Sequence, residues 1–179
     1  CYFIDHHLAP GGYAWVFPKG EGRGNVGLGV QGDLWLEMAR DAAGPATVFG
    51  LLDRFIEAHP FLARGHPVTL VAGNVPVALP PRHLVSDGLM VVGDAASQVD
   101  PLTGGGITNA MLAGRLAAQV AVEAVAAGDA SAARLARYQE LWHQARGRKM
   151  ERNYRLRERF APADRADPRF LQAFALAVG

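Results

Sequence analysis

Three consecutive glycines, Gly104-Gly105-Gly106, separate an Asp100-Pro101-Leu102-Thr103 turn from a long stretch of small apolar residues, and Leu89-Met90-Val91-Val92-Gly93-Asp94 lies just upstream. This order reads as strand, acidic residue, glycine-rich loop and helix, and it constrains the fold more than any other feature of the chain. The apolar run Leu89–Val92, launched by an Asp87-Gly88 turn, suits a short strand covered on both faces. A strand that ends in Gly-Asp sets a carboxylate at the carboxyl edge of a sheet, where open α/β folds bind ligands. Asp94 can there accept hydrogen bonds from ligand hydroxyls. The glycines allow backbone N–H groups to approach a planar ligand without Cβ interference, and the following helix directs its positive end at the same place. From Gly105 to about Ala127 the polar residues Arg115, Gln119 and Glu123 fall four apart on one narrow stripe. That pattern predicts a largely buried helix, with Gly114 and the alanines allowing another element to come close.

Ahead of this segment the chain changes character. Tyr2–Ile4, Tyr13–Phe17 and Asn25–Val30 are strand-like and are separated by Pro10-Gly11-Gly12 and the glycine-rich Lys19–Gly24, a spacing that predicts an antiparallel meander. Tyr13, Trp15 and Phe17 alternate, so one sheet face carries three large rings. Rings at that spacing are ordinarily core, and equally they offer a surface for something flat or oily. Val48, Leu51, Leu52, Phe55 and Ile56 keep the spacing of an amphipathic packing helix within 45–59, stopped at His59-Pro60. Residues 67–79 return to strand-like composition. After Gly128-Asp129, a helix beginning near Ser131 carries Leu135, Tyr138, Leu141, Trp142 and Ala145 at helical spacing, and Pro162 and Pro168 precede a last short helix over 169–178.

The expected architecture is therefore α+β, an antiparallel sheet domain joined to the end of an α/β ligand-binding domain. Its parts are residues 1–80 (sheet with one helix), 81–128 (the strand-loop-helix segment) and 129–179 (helical). The 179 residues are half hydrophobic and carry a formal net charge of +1, so nothing global recommends nucleic acid as a partner. Cys1 is the single cysteine, which excludes an internal disulfide and a cysteine zinc cluster and fits a cytoplasmic setting. No uninterrupted apolar run reaches the roughly 18 residues of a spanning segment, so a soluble or peripheral protein is expected. The chain opens without methionine on a strand in need of partners, and continuation upstream is expected.

Two motifs resemble known families. Gly93-Asp94-Ala95-Ala96, followed by Pro101 and the glycine cluster before a helix, resembles the second FAD-binding motif of the aromatic-hydroxylase-like flavoproteins. The resemblance implies FAD, with Gly93 among the residues that bind it, Asp94 at the ribityl chain and Pro101, Gly104, Gly105, Gly106 and Ile107 beside the isoalloxazine ring. Tyr13-x-Trp15-x-Phe17-Pro18, eight residues, then Gly27-Leu28-Gly29 resembles the signature of geranylgeranyl reductases, which lines the site for the isoprenoid chain. That similarity implies an FAD-dependent oxidoreductase acting on CH–CH groups of an isoprenoid lipid or diphosphate. Tyr13, Trp15, Phe17, Pro18, Gly27 and Gly29 would meet the substrate, Tyr13 would be the candidate proton donor, and NAD(P)H or ferredoxin would be the reductant. Peripheral contact at the inner face of a membrane goes with such a substrate. No Gly-x-Gly-x-x-Gly opens a βαβ unit, so the element that cradles the FAD pyrophosphate in relatives is not in this sequence.

Other readings share these residues. A flavin monooxygenase or halogenase would need the Gly93–Asn109 segment alone, and a non-catalytic lipid-binding module would keep the aromatic sheet without flavin. Gly104–Gly106 is not a phosphate loop of the Walker kind, since no Gly-Lys-Ser/Thr follows. Arg146, Arg148, Lys149, Arg152, Arg155, Arg157 and Arg159, interrupted by Glu151 and Glu158, form a basic run. Such a run is either a solvated helix face or a surface for a diphosphate headgroup or an anionic membrane. His6, His7, His59, His66, His83 and His143 have no metal-ligand spacing, and no metal is expected.

Overall fold

The computed structural model describes residues 1–5, 7–32, 35, 36, 40 and 47–160. The helix expected over 169–178 lies outside the described residues. The fold is α+β, and contacts divide the described chain into a unit within residues 1–71 and a unit of residues 72–160.

The first unit is built on a three-stranded antiparallel sheet, β1 (Tyr2–Phe3), β2 (Tyr13–Gly20) and β3 (Arg23–Gly29), in that order. The meander expected from the glycine punctuation is present. Its hairpin closes on Glu21 and Gly22, both at positive φ, the two-residue turn that matches strand twist. Register pairs Tyr13 with Gly29, Trp15 with Gly27 and Phe17 with Asn25. Pleating puts Phe3 and Ala14 on the face opposite the rings. Helix α1 (Val48–Glu57) starts at Thr47, whose Oγ1 accepts from Gly50 N–H at 2.9 Å. It buries Leu51 and Phe55, and the Phe55 ring lies 5.0 Å from Phe3 and 4.6 Å from His59. Here α1 is the packing helix its periodicity predicts. It ends at Glu57, and Pro60 opens a separate single turn, α2 (Pro60–Ala63).

Residues 67–79 form no strand. Val68 and Val71 are 87% and 86% exposed, so the β-rich composition finds no pairing edge among the described residues. Strand composition is a preference for a half-buried pleated surface and produces a strand only where a partner exists.

In the second unit β4 (Val85–Ser86) and β5 (Leu89–Met90) make a minimal hairpin about Asp87-Gly88. The strand predicted over Leu89–Val92 is thus only two residues long. Leu89 is 54% exposed, so it is not covered on both faces within this chain. A 3₁₀ turn over Gly93–Ala96 leads through the loop to helix α3 (Ile107–Ala127), which ends at Gly128 in the left-handed conformation. Only Asn109, Ala113, Ala117, Val120 and Ala124 of α3 are buried, a single stripe. The expectation of a largely buried helix is corrected: Met111, Val122 and Val125 are exposed, and among the described residues nothing comes close to Gly114. By length and composition α3 could cross a membrane, although its buried stripe packs into the core of this unit.

Helix α4 (Ala132–Trp142) is capped by Ser131 and lays Leu135, Tyr138 and Trp142 against α3. Asp87 Oδ1 accepts from Ala132 N–H at 2.7 Å, and Gly88 N–H donates to the Ala130 carbonyl at 2.8 Å, which pins the hairpin to the α3–α4 turn. A π-helical turn (His143–Gly147) joins α4 to α5 (Arg148–Phe160). Its additional residue per turn rotates the buried face, so Ala145 is exposed while Gly147, Met150 and Asn153 are buried.

Candidate functional site

Within the first unit the sheet gathers Tyr13, Trp15 and Phe17 into one cluster. Ring centroids are 5.8 Å apart for Tyr13–Trp15 and 6.0 Å for the stacked pair Trp15–Phe17. Tyr2 joins them from β1, 5.4 Å from both Tyr13 and Phe17. Its place could have been read from strand pairing, since Tyr2 sits opposite Trp15, but no motif marks it.

The glycines explain the spacing of this cluster. The Trp15 indole lies flat along β3: its N–H donates to Asn25 Oδ1 at 2.6 Å, and a Cβ on Gly27 would overlap the ring. Gly29 lies beneath the far edge of the same ring, where a Cβ would stand 4.0 Å away. A tryptophan can lie flat across a neighbouring strand only where that strand carries no side chains beneath it. The aromatic-glycine pattern is therefore one structural device. It produces a rail of rings, half-buried at Tyr13 and Trp15 and open at Phe17 and Pro18. Burial first, and the neighbouring Tyr2 phenol second, push the Tyr13 phenol above its ordinary value, so it stays protonated at neutral pH.

Within the second unit Gly106 stands beside the Asp94 carboxylate and Gly104 and Gly105 are bonded to the Asp100 backbone, with Asp94, Gly104, Gly105 and Ile107 exposed and Gly93 and Pro101 buried. Gly93 N–H donates to buried Gln98 Oε1 at 2.7 Å, Gln98 Nε2 donates to Tyr138 Oη at 2.8 Å, and Tyr138 Oη donates to the Val91 carbonyl at 3.1 Å. This relay fixes the point where strand becomes loop. Asp100 closes the loop from within: its N–H donates to the Gly105 carbonyl at 3.0 Å, and its Oδ1 accepts from Leu102 N–H at 3.0 Å. Asp100 Oδ2 accepts from Asn153 Nδ2 of α5 at 2.9 Å, and Arg157 donates to the Pro101 carbonyl at 3.4 Å. None of Gln98, Asp100, Asn153 or Arg157 was singled out for holding the loop in sequence. Their partners lie 40 to 56 residues away, except for Gln98 and Asp100 acting locally, and no short-range pattern carries such pairings.

The start of α3 has a distinctive shape. Gly106 is the N-cap and supplies no side chain to the first-turn N–H groups. A Cβ there would stand 3.2 Å from Val99 and 3.3 Å from Asp94 Oδ1, so glycine keeps the floor clear between the helix start and the Asp94 carboxylate. Asp94 itself is exposed, and Ile107, 82% exposed, adds an apolar side chain at the same edge. A hydroxyl acceptor, helix-start N–H donors that no N-cap side chain covers and an apolar edge suit a flat, partly anionic ligand bearing hydroxyls.

A separate cavity of about 520 Å³ in this unit is lined by Leu79, Leu84, Trp142, His143 and Tyr154 among others. It does not include the loop residues.

Comparison with known proteins adds the following. Residues 1–75, which hold the aromatic rail, match the family described as geranylgeranyl reductase catalytic domain. Over 160 residues the chain is 46% identical to a digeranylgeranylglycerophospholipid reductase of Methanosphaerula palustris, covering 89% of this chain and 38% of that protein. A protein of the same description from Methanococcoides burtonii is 40% identical over 179 residues, 99% of this chain and 41% of its own length. Among solved structures, a geranylgeranyl bacteriochlorophyll reductase-like protein of Thermoplasma acidophilum superposes with a TM-score of 0.77 at 40% identity, over 92% of this chain and 39% of that one. The chain spans roughly two fifths of the length of these relatives.

Proposed function

We propose that this chain, whose residues 1–75 match the geranylgeranyl reductase catalytic domain, forms the substrate-facing and flavin-facing parts of an FAD-dependent oxidoreductase that saturates carbon–carbon double bonds of a geranylgeranyl lipid. The observation that carries this reading is the Trp15 indole laid along Asn25, Gly27 and Gly29, inside the residues that match the family. A smooth aromatic surface of this kind binds a polyprenyl chain through apolar contact and excludes water from it.

The clear floor over Gly106 and the exposed Asp94 carboxylate fit FAD, with Gly93, Asp94, Pro101, Gly104, Gly105, Gly106 and Ile107 holding it. When bound and reduced, the flavin supplies a hydride to one alkene carbon, and a proton completes the other. The chain's own contributions are distinct. Asp94 accepts from ligand hydroxyls, and the N-terminus of α3 favours negative charge on the ligand by on the order of 1 kcal/mol. Tyr2, Tyr13, Trp15 and Phe17 orient the prenyl chain. Tyr13, held protonated, is the candidate to deliver the proton through its phenol oxygen. The reductant in this reading is NAD(P)H or ferredoxin, and the setting is cytoplasmic with peripheral contact at the inner membrane face where such lipids reside.

The test is the visible spectrum of the full-length protein with and without Asp94→Ala. Flavin bands near one per chain in the wild type, depleted in a variant of unchanged circular dichroism, support the reading; a wild type that takes up no flavin after FAD addition ends it. With flavin retained, Tyr13→Phe is expected to lower turnover of a polyprenyl substrate at least tenfold. Unchanged turnover removes Tyr13 as proton donor.

A further inference from the structure

The near-neutral composition conceals a strong segregation of charge. Residues 146–159 hold seven of the eighteen Lys and Arg and two of the seventeen Asp and Glu, a local charge of +5, which leaves eleven cations against fifteen acids, or −4, elsewhere in the chain. Helix α5 gives this run a direction. Arg148, Arg152, Arg155 and Arg159 stand at i, i+4, i+7 and i+11, so they fall within roughly 60° of arc and extend about 16 Å along the helix. All four are exposed. Arg155 keeps 78% of its side chain in solvent even with Glu151 Oε2 at 3.5 Å. The opposite side of α5 is committed to the body of its unit. Met150 and Asn153 are each 2% exposed, Asn153 is bonded to Asp100, and Arg157 donates to the carbonyls of Val77 and Pro101. The helix is thus anchored by one face and presents arginine along the other.

We propose that the Arg148–Arg152–Arg155–Arg159 stripe is a docking surface for the phosphates of an anionic lipid bilayer. Guanidinium groups pair with phosphate oxygens through two parallel N–H donors, and a straight row of them matches a plane of headgroups. Lys149, also exposed, widens the row on one flank, while both acids of α5, Glu151 and Glu158, fall on the other. The −4 balance elsewhere means that the chain lacks the overall basic excess that a sequence-independent nucleic-acid surface carries. The choice of a membrane rests on the proposed lipid substrate, and the experiment separates the two ideas.

Full-length protein is sedimented with vesicles of phosphatidylcholine alone and with vesicles containing equal parts phosphatidylglycerol, beside the triple variant Arg148→Gln/Arg152→Gln/Arg155→Gln and a triple Arg→Lys variant at the same sites. Turnover of a detergent-dispersed polyprenyl lipid is measured in parallel. The wild type is expected to bind the anionic vesicles only, and less well as salt rises. The Gln variant should lose on the order of a hundredfold in partitioning, the Lys variant should lose far less, and neither should change turnover on the dispersed lipid. Stripe-dependent vesicle binding by a protein that takes up no flavin would sustain the docking surface while ending the reductase reading. Wild type that ignores anionic vesicles, a Gln variant that binds as the wild type does, or tighter stripe-dependent binding to an RNA or DNA oligonucleotide overturns the proposal.

Discussion

Gly27 and Gln98 are the two positions where one atom's worth of space or one hydrogen bond decides the local structure. A Cβ on Gly27 would overlap the Trp15 ring, so Gly27→Val must drive the indole off β3 and break its 2.6 Å bond to Asn25. Overpacking of this kind costs about 1–3 kcal/mol. Urea unfolding should show that loss together with a red shift in tryptophan emission, and a Gly27→Val protein with unaltered emission would mean the ring does not rest on that glycine. Gln98 has no exposure and serves both Gly93 N–H and Tyr138 Oη. Gln98→Leu keeps its approximate size and leaves both groups short of a partner, at about 2–4 kcal/mol. Flavin retention should fail at lower urea than helical circular dichroism does, because the turn at Gly93 is released first.

At the scale of elements, the glycine-rich loop is held by α5, a helix that starts more than 40 residues beyond it. The bond from Asn153 Nδ2 to Asp100 Oδ2 is charge-assisted and its donor is buried, so a double-mutant cycle over Asp100→Ala and Asn153→Ala should return a coupling of about 1.5–3 kcal/mol. A coupling within experimental error of zero would show the loop to be self-supporting. This tie was illegible in the sequence, whereas the elements it joins were not. Alternation of Tyr13, Trp15 and Phe17 located β2, and the i, i+3, i+4 pattern located α1, because each signal is carried by neighbours a few residues apart. The failures came where a partner decides. Residues 67–79 have strand composition without a strand to pair with among the described residues, and α3 is small and apolar on every side but the narrow stripe of Arg115, Gln119 and Glu123, so its periodicity could not reveal that one stripe alone is covered. The π-turn at His143–Gly147 defeated periodicity in a third way, since a 3.6-residue repeat carried through it places Ala145 inside and the structure leaves Ala145 out. The loop glycines and Asp94 were legible as a group because the helix start needs all of them within a short span.

At the scale of the whole molecule, each unit contains a tyrosine whose ionisation is resisted by burial, and the two should make the protein sensitive to alkali. Burial raises the Tyr138 phenol, opposed by its hydrogen bond with Gln98, and burial with Tyr2 raises Tyr13. In the unfolded chain both phenols lose their protons at about pH 10, whereas the folded chain holds them to higher pH. Above that point the native state binds more protons than the unfolded one, so stability present in full below about pH 10 declines as pH rises through the folded values. Tyr138→Phe tests this in the second unit. The variant should be less stable than wild type at neutral pH by about 1–3 kcal/mol, having lost the bonds to Gln98 and Val91. It cannot ionise, so the difference should shrink as pH climbs past 10, and the two denaturation curves should converge. A gap that stays constant through that range would mean that the Tyr138 phenol ionises as freely in the folded protein as in the unfolded chain, and that the relay from Gly93 to Val91 is open to water.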